Sequence, residues 1–170
     1  MKCLLVSSSP RRRELFKYIC KDFEVVSPSY EEEPYLGGDV ERFVVNMARN
    51  KLHSVDFEGY DIAVASDTVV YIPTYNVVLG KPKKADNALK MLKMLVGRRH
   101  SVITGVVVYV DGREYSLVET TQVKFRIVPE GFLRAYVNTG MPLDKAGGYG
   151  IQDPFVLFLL NRLLEIITML

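Results

Sequence analysis

The chain has almost no net charge: 22 lysines and arginines stand against 20 aspartates and glutamates, a formal +2 over 170 residues. That balance excludes a polymer-coating nucleic-acid binder, which carries a strongly basic surface or a long basic stripe. Cysteine is scarce, with Cys3 and Cys20 alone. The two form neither a CxxC pair nor a zinc pattern, so they are expected to be reduced thiols in the core. Long apolar runs are missing too. The greasiest stretch, 153–170, is interrupted by Asn161, Arg162 and Glu165. It falls well short of the ~20 apolar residues of a membrane span and reads as a buried helix. The opening Met1-Lys2-Cys3-Leu4-Leu5-Val6 turns polar at Ser7, too soon for a signal peptide. Together these absences predict a cytoplasmic protein with no membrane and no nucleic-acid polymer among its partners.

What remains is an ordinary globular composition, 48% hydrophobic and 25% charged. A chain of this length buries roughly two-thirds of its unfolded surface and needs no covalent or metal staple to fold. Residues 3–7 read as a short buried strand, and Ser9-Pro10 open a helix to about Cys20, with Ser9 as N-cap. A second strand is expected at Phe23–Val26, then an acidic stretch Glu31-Glu32-Glu33-Pro34 and a turn at Gly37-Gly38. Asp39 caps a helix whose residues Val40, Phe43, Val44, Met47, Ala48, Leu52 and Val55 keep amphipathic spacing. Ile62–Tyr71 is apolar on both faces, as a central strand is, and leads through Thr74-Tyr75-Asn76 to a short strand at Val77–Leu79. A helix from about Ala85 stops at Gly97, and Asp111-Gly112 signals a hairpin between strands 101–110 and 114–128. Pro129 opens another helix, and a glycine-rich loop fills 140–152. There is no repeat, low-complexity tract or linker. The pattern predicts an α/β fold: a single domain over 1–170 with a central mixed, twisted sheet flanked by helices.

Three places break this structural logic. Arg11-Arg12-Arg13 occupy the first turn of a helix, where the dipole disfavours each cation by about 0.3–1 kcal/mol. A phosphate bound there by backbone amides, the Ser7 and Ser9 hydroxyls and the guanidinium groups would turn that penalty into a site; the plain alternative is a solvated basic turn. Lys51 lies eleven residues beyond Val40 and so returns to the apolar stripe of its helix, where it either snorkels out or has a partner. Asp67 sits inside the apolar run 62–70, and a buried unpaired carboxylate is too costly to be incidental. It suits a metal ligand, a general base or a structural hydrogen-bonded group.

The acidic run Glu31 to Glu33 reads first as a solvated loop, but one of its carboxylates, with Glu32 the first choice among the three, could instead share a divalent cation with Asp67, since Mg2+ takes one or two protein carboxylates plus substrate phosphates. Lys81, before Pro82, is a further cation, either exposed or facing phosphate. Other schemes are absent: Gly80-Lys81 lacks the spacing of a Walker A loop, His53 and His100 accompany no nucleophile elbow, and there is no HExxH or early GxGxxG. A hydrolase acting on a nucleoside triphosphate with a divalent metal is the simplest function that uses all these residues. The alternative is a non-catalytic nucleotide-binding module built on the same phosphate cradle.

Four stretches carry a resemblance: Ser7-Ser8-Ser9-Pro10-Arg11-Arg12-Arg13-Glu14-Leu15, Ser66-Asp67-Thr68-Val69-Val70, Leu79-Gly80-Lys81-Pro82, and the run from Thr139 to Gln152. In order and spacing they resemble the Maf family of nucleoside triphosphate pyrophosphatases. The resemblance implies cleavage between the α- and β-phosphates with Mg2+ or Mn2+, in a homodimer. It implies that Asp67 is the proton acceptor. Taken with the residues singled out above, Ser7, Arg11, Arg12, Lys51, Thr68, Lys81 and Gln152 are expected to bind substrate. Arg11, Thr68 and Gln152 match the positions that separate the dTTP/UTP branch from the branch acting on 7-methyl-GTP, and they carry the residues of the first. Two departures stand out. Ser66 replaces the alanine or glycine usual before this Asp, and the Gly-x-Tyr-x-Asn-Val-x-Gly-Leu-Pro stretch that typically follows Gln152 is missing.

Overall fold

The computed structural model describes residues 1–166, from 162 onward by backbone alone. In chain order the elements are β1 (Cys3–Val6), α1 (Pro10–Phe16), β2 (Phe23–Val26), α2 (Val40–His53), β3 (Ile62–Ile72), β4 (Val77–Leu79) and α3 (Ala85–Leu95). They continue with β5 (Arg99–Val110), β6 (Arg113–Phe125), α4 (Glu130–Asn138), α5 (Pro154–Leu159) and β7 (Leu160–Ile166). Among the described residues the strands follow the order β2-β1-β3-β5-β6-β7, with β4 on β3. The β2-β1-β3 pairs are parallel, while β3-β4 and β6-β7 are antiparallel. The expected α/β fold with a mixed sheet flanked by helices is therefore present. Asp111 and Gly112 turn the β5–β6 hairpin with φ of 51° and 74°, the left-handed pair that a two-residue turn of this kind requires. No helix among the described residues is long and apolar enough to cross a membrane.

The chain packs as two compact units, Met1–Asp67 with Thr104–Val118, and Thr68–Ile103 with Glu119–Leu170. In the first, β1 is buried on both faces because its side chains alternate. Leu4 and Val6 join Ala48 and Leu52 of α2, and Ala63, Ala65 and Val107. Cys3 and Leu5 face the other way and meet Phe16 and Cys20 at the end of α1. Asp39 caps α2 as expected, its Oδ1 accepting from the Glu41 and Arg42 amides at 3.0 and 3.1 Å. The helix lies close on β5, since a Cβ at Gly105 would come within 2.9 Å of the Val44 backbone.

Two expectations need correction here. The cysteines are not free thiols: Cys3 and Cys20 form a disulfide. α1 stops at Phe16, and the turn that follows carries Cys20 back under β1, with a Cα–Cα separation of 6.6 Å that suits a disulfide. The segment from 153 is not one helix either. α5 ends at Leu159, and Leu160 turns extended (φ −68°, ψ 125°) so that the chain pairs with β6 from Phe125↔Leu160 to Thr120↔Ile166. That pairing satisfies backbone groups along β6 which would otherwise form a bare edge. Residues 167–170 of the expected helix lie outside the described residues.

The second unit has its own core, in which Val70 and Ile72 of β3 pack with Leu92, Phe125, Tyr136 and Leu159. Two 3-10 turns, Met141–Asp144 and Ala146–Gly148, shape the glycine-rich loop between α4 and α5.

Candidate active site

In the first unit, the apolar spacing of α2 carries Lys51 inward, where it is 8% exposed. It has found partners rather than snorkelled. Its Nζ donates to Glu32 Oε1 at 2.8 Å and to Asp67 Oδ1. Asp67, on β3, is 7% exposed. Burial pushes its carboxyl up from the ordinary range, against the pull of Lys51 and Arg12 toward the ionised form. Glu32 reaches the pair from the exposed acidic stretch.

Arg12 turns from the first turn of α1 toward β3, and its Nη1 donates to the Ser66 carbonyl at 2.5 Å. Burial lowers its guanidinium pKa while Asp67 raises it, so the arginine and the carboxylate each favour the other's charge. Arg11, its neighbour on the same turn, is exposed. Ser7 is buried; its amide donates to the Val26 carbonyl at 2.9 Å, and its Oγ accepts from the Ser9 amide at 3.1 Å. The hydroxyl thus braces the entry to α1. Ser9 takes the extended N-cap conformation but makes no side-chain capping bond.

The structure therefore gathers Arg12, Glu32, Lys51 and Asp67 around one point, with Ser66 supplying a carbonyl. The Glu32 and Asp67 carboxylates converge on a single cation, the Lys51 ammonium. No cluster of three or more His, Cys, Asp or Glu with metal-binding geometry occurs among the described residues. Two convergent carboxylates are nevertheless the donor set that suits Mg2+ when phosphates and water complete its shell.

The remaining candidates belong to the second unit. Thr68 is half-buried, and Lys81 and Gln152 are exposed. The segments carrying Lys81 and Gln152 are tied together, because the Gly147 amide donates to the Gly80 carbonyl at 2.9 Å. Sequence reasoning missed two buried polar pairs of this unit. Tyr136 donates to Asp153 Oδ2 at 2.5 Å, with Lys145 Nζ 3.6 Å from the same oxygen, and His100 Nε2 lies 2.6 Å from the Tyr149 hydroxyl. Each joins residues far apart in the chain. The signal in the sequence was only that charged and aromatic residues stand in a loop otherwise rich in glycine.

A family model described as Maf-like protein matches residues 2–165. The chain belongs to the Maf family. Among its Maf relatives, the dTTP/UTP pyrophosphatase of Thermococcus gammatolerans is 42% identical over 155 residues, covering 91% of this chain and 82% of that protein. The dTTP/UTP pyrophosphatase of Carboxydothermus hydrogenoformans is 40% identical over 161 residues, covering 93% and 85%. Solved structures share the fold at low identity. The Ham1 protein of Staphylococcus aureus aligns with TM-score 0.50 at 17% identity, over 74% of this chain and 72% of that one. A HAM1 protein from Coxiella burnetii gives 0.51 at 15%, over 76% and 75%. In this Maf protein the four stretches of the resemblance lie on β1–α1, on β3, at the end of β4 and in the loop before α5.

Proposed function

We propose that this Maf protein is a nucleoside triphosphate pyrophosphatase that hydrolyses dTTP and UTP to the monophosphate and pyrophosphate, clearing pyrimidine nucleotides from the cellular pool. The observation that carries the reading is the convergence of Glu32 and Asp67 on Lys51, with Arg12 beside them, Arg12 and Asp67 standing in two of the stretches that resemble the family. The names of the relatives, at about 40% identity over nine-tenths of the chain, support the same substrate class. The family match over 2–165 supports treating the chain as one functional domain.

In this reading Arg11, Arg12, Lys51 and Lys81 hold the triphosphate, and Ser7 keeps the β1–α1 turn in shape. Water adds to the α-phosphorus as the P–O bond to the β-phosphate breaks and pyrophosphate departs. Asp67 takes the proton from that water or orients it for attack. Glu32 and Asp67 would hold a divalent cation, Mg2+ or Mn2+, which supplies charge neutralisation on the phosphates. Gln152, with Arg11 and Thr68, selects the base: uracil and thymine present acceptor, donor and acceptor along the pairing edge, and one amide meets the donor and an acceptor. The reading carries with it a cytoplasmic location, where nucleoside triphosphates are made and used, and a homodimer as the family resemblance implies.

The test is a panel of nucleoside triphosphates with Mg2+, assayed for monophosphate and pyrophosphate. dTTP and UTP should be turned over in preference to the other bases, and Asp67→Asn should lower turnover by about 10²-fold or more. Near wild-type release by the Asn variant would remove Asp67 from the mechanism. Nucleotide binding with no pyrophosphate from any substrate would leave the non-catalytic module in its place.

A further inference from the structure

The second unit buries a polar pair that the proposed chemistry does not use. His100, on β5, is wholly buried, and its Nε2 lies 2.6 Å from the Tyr149 hydroxyl. Phe125 completes a three-ring cluster in edge-on contact, with centroids 4.9 Å from His100 and 4.8 Å from Tyr149, while His100 and Tyr149 are 5.5 Å apart. Burial drives the imidazole down to about 4 and raises the phenol, so both are neutral near pH 7 and share one hydrogen bond whichever ring nitrogen carries the proton. An apolar pair of the same shape would fill that space at about equal or lower cost, so what the polar pair adds is direction rather than stability.

The pair sits where the chain most needs an anchor. Gly147 and Gly148 precede Tyr149 with φ of 66° and 75°, and glycine backbone is the most costly to order. Gly147 lies against Val70, whose Cγ2 a Cβ would approach to 2.8 Å. Three residues beyond Tyr149 comes Gln152, exposed, and next to it Asp153, held by the buried Tyr136 hydroxyl. Gln152 is thus suspended between two buried tyrosine hydrogen bonds.

We propose that His100 and Tyr149 are positioning residues for base selection: their buried hydrogen bond latches the 146–152 loop so that Gln152 is presented to the nucleobase in one orientation. The inference rests on the reading of Gln152 given above. It assigns to His100 a role through Tyr149 and none in the chemical step.

Tyr149→Phe removes the hydroxyl and keeps the ring cluster. Measured against dTTP and dCTP, it should cut the preference for dTTP by about fivefold to tenfold, the equivalent of one buried hydrogen bond, chiefly through KM. Amide exchange across 147–152 should quicken, and the melting temperature should fall by a few degrees because His100 Nε2 is left buried without its partner. His100→Gln, which keeps a hydrogen-bonding group, should retain most of the preference, and His100→Leu should lose it. A purely structural pair would lower stability and turnover of every nucleotide alike while leaving the preference intact, and that result overturns the proposal. Gln152→Ala run in parallel separates the two readings. If it abolishes the preference while Tyr149→Phe does not, the latch is refuted and the role of Gln152 stands. If Gln152→Ala leaves the preference untouched, the base-reading role falls, and the latch's part in base choice with it.

Discussion

Replacing His100 by glutamine should flatten the acid side of this protein's folding stability. In the unfolded chain the imidazole titrates near 6.5, and in the fold burial holds it at about 4. Between those values the unfolded state binds a proton that the native state refuses. The free energy of unfolding therefore rises with pH through that window, is fully restored above 6.5, and is progressively lost as the pH falls toward 4. At about 1.4 kcal/mol per pH unit, the interval from 6.5 to about 4 corresponds to about 3 kcal/mol, a large share of the 5–15 kcal/mol that typically stabilises a domain. The assay is urea unfolding of both proteins at pH 7 and pH 4. Other groups titrate too, such as Glu130, whose hydrogen bonds from Lys93 and Arg134 lower its carboxyl, and Asp67, raised by burial. They are common to both proteins and cancel in the comparison. The wild type should lose about 3 kcal/mol more than His100→Gln on acidification. Equal losses would refute the argument that the imidazole is held neutral by burial.

Two further perturbations test the packing around the candidate site. Lys51→Met leaves the Asp67 carboxylate buried without its ammonium and should destabilise by about 3–5 kcal/mol, whereas adding Asp67→Leu should recover most of it. Urea midpoints of the single and double variants decide this, and a single variant that unfolds like the wild type would contradict it. Gly105→Ala places a methyl 2.9 Å from the Val44 backbone and should cost about 1–3 kcal/mol by forcing α2 outward, read by thermal melting. Because α2 carries Lys51, pyrophosphate release should fall with it.

Much of the fold was legible because its determinants are local. The Asp111-Gly112 hairpin, the Asp39 cap and the short buried strand β1 each depend on a few neighbouring residues, and all three took the expected form. Lys51 and Asp67 stood out for a related reason: a charge at an apolar position must be explained by something outside its own segment. What stayed hidden depends on pairs distant in sequence. No local rule brings Cys20 under Cys3, and none links His100 to Tyr149, 49 positions on. Leu160 to Ile166 has the composition of a buried helix, whereas its conformation is decided by hydrogen bonding along β6, which no local pattern shows.

The Cys3–Cys20 disulfide has a consequence for how the site's first motif can be taken apart. The bond closes a covalent ring around the β1–α1 connection, and Ser7, Ser9, Arg11 and Arg12 all lie inside it. A single backbone cut anywhere in that ring opens it without releasing a fragment, so the basic turn stays tethered until the sulfurs are reduced. The same closure persists in the denatured chain, where it narrows the conformations open to these residues. Part of the entropy needed to bring the arginine turn back against β1 is therefore already removed before folding begins.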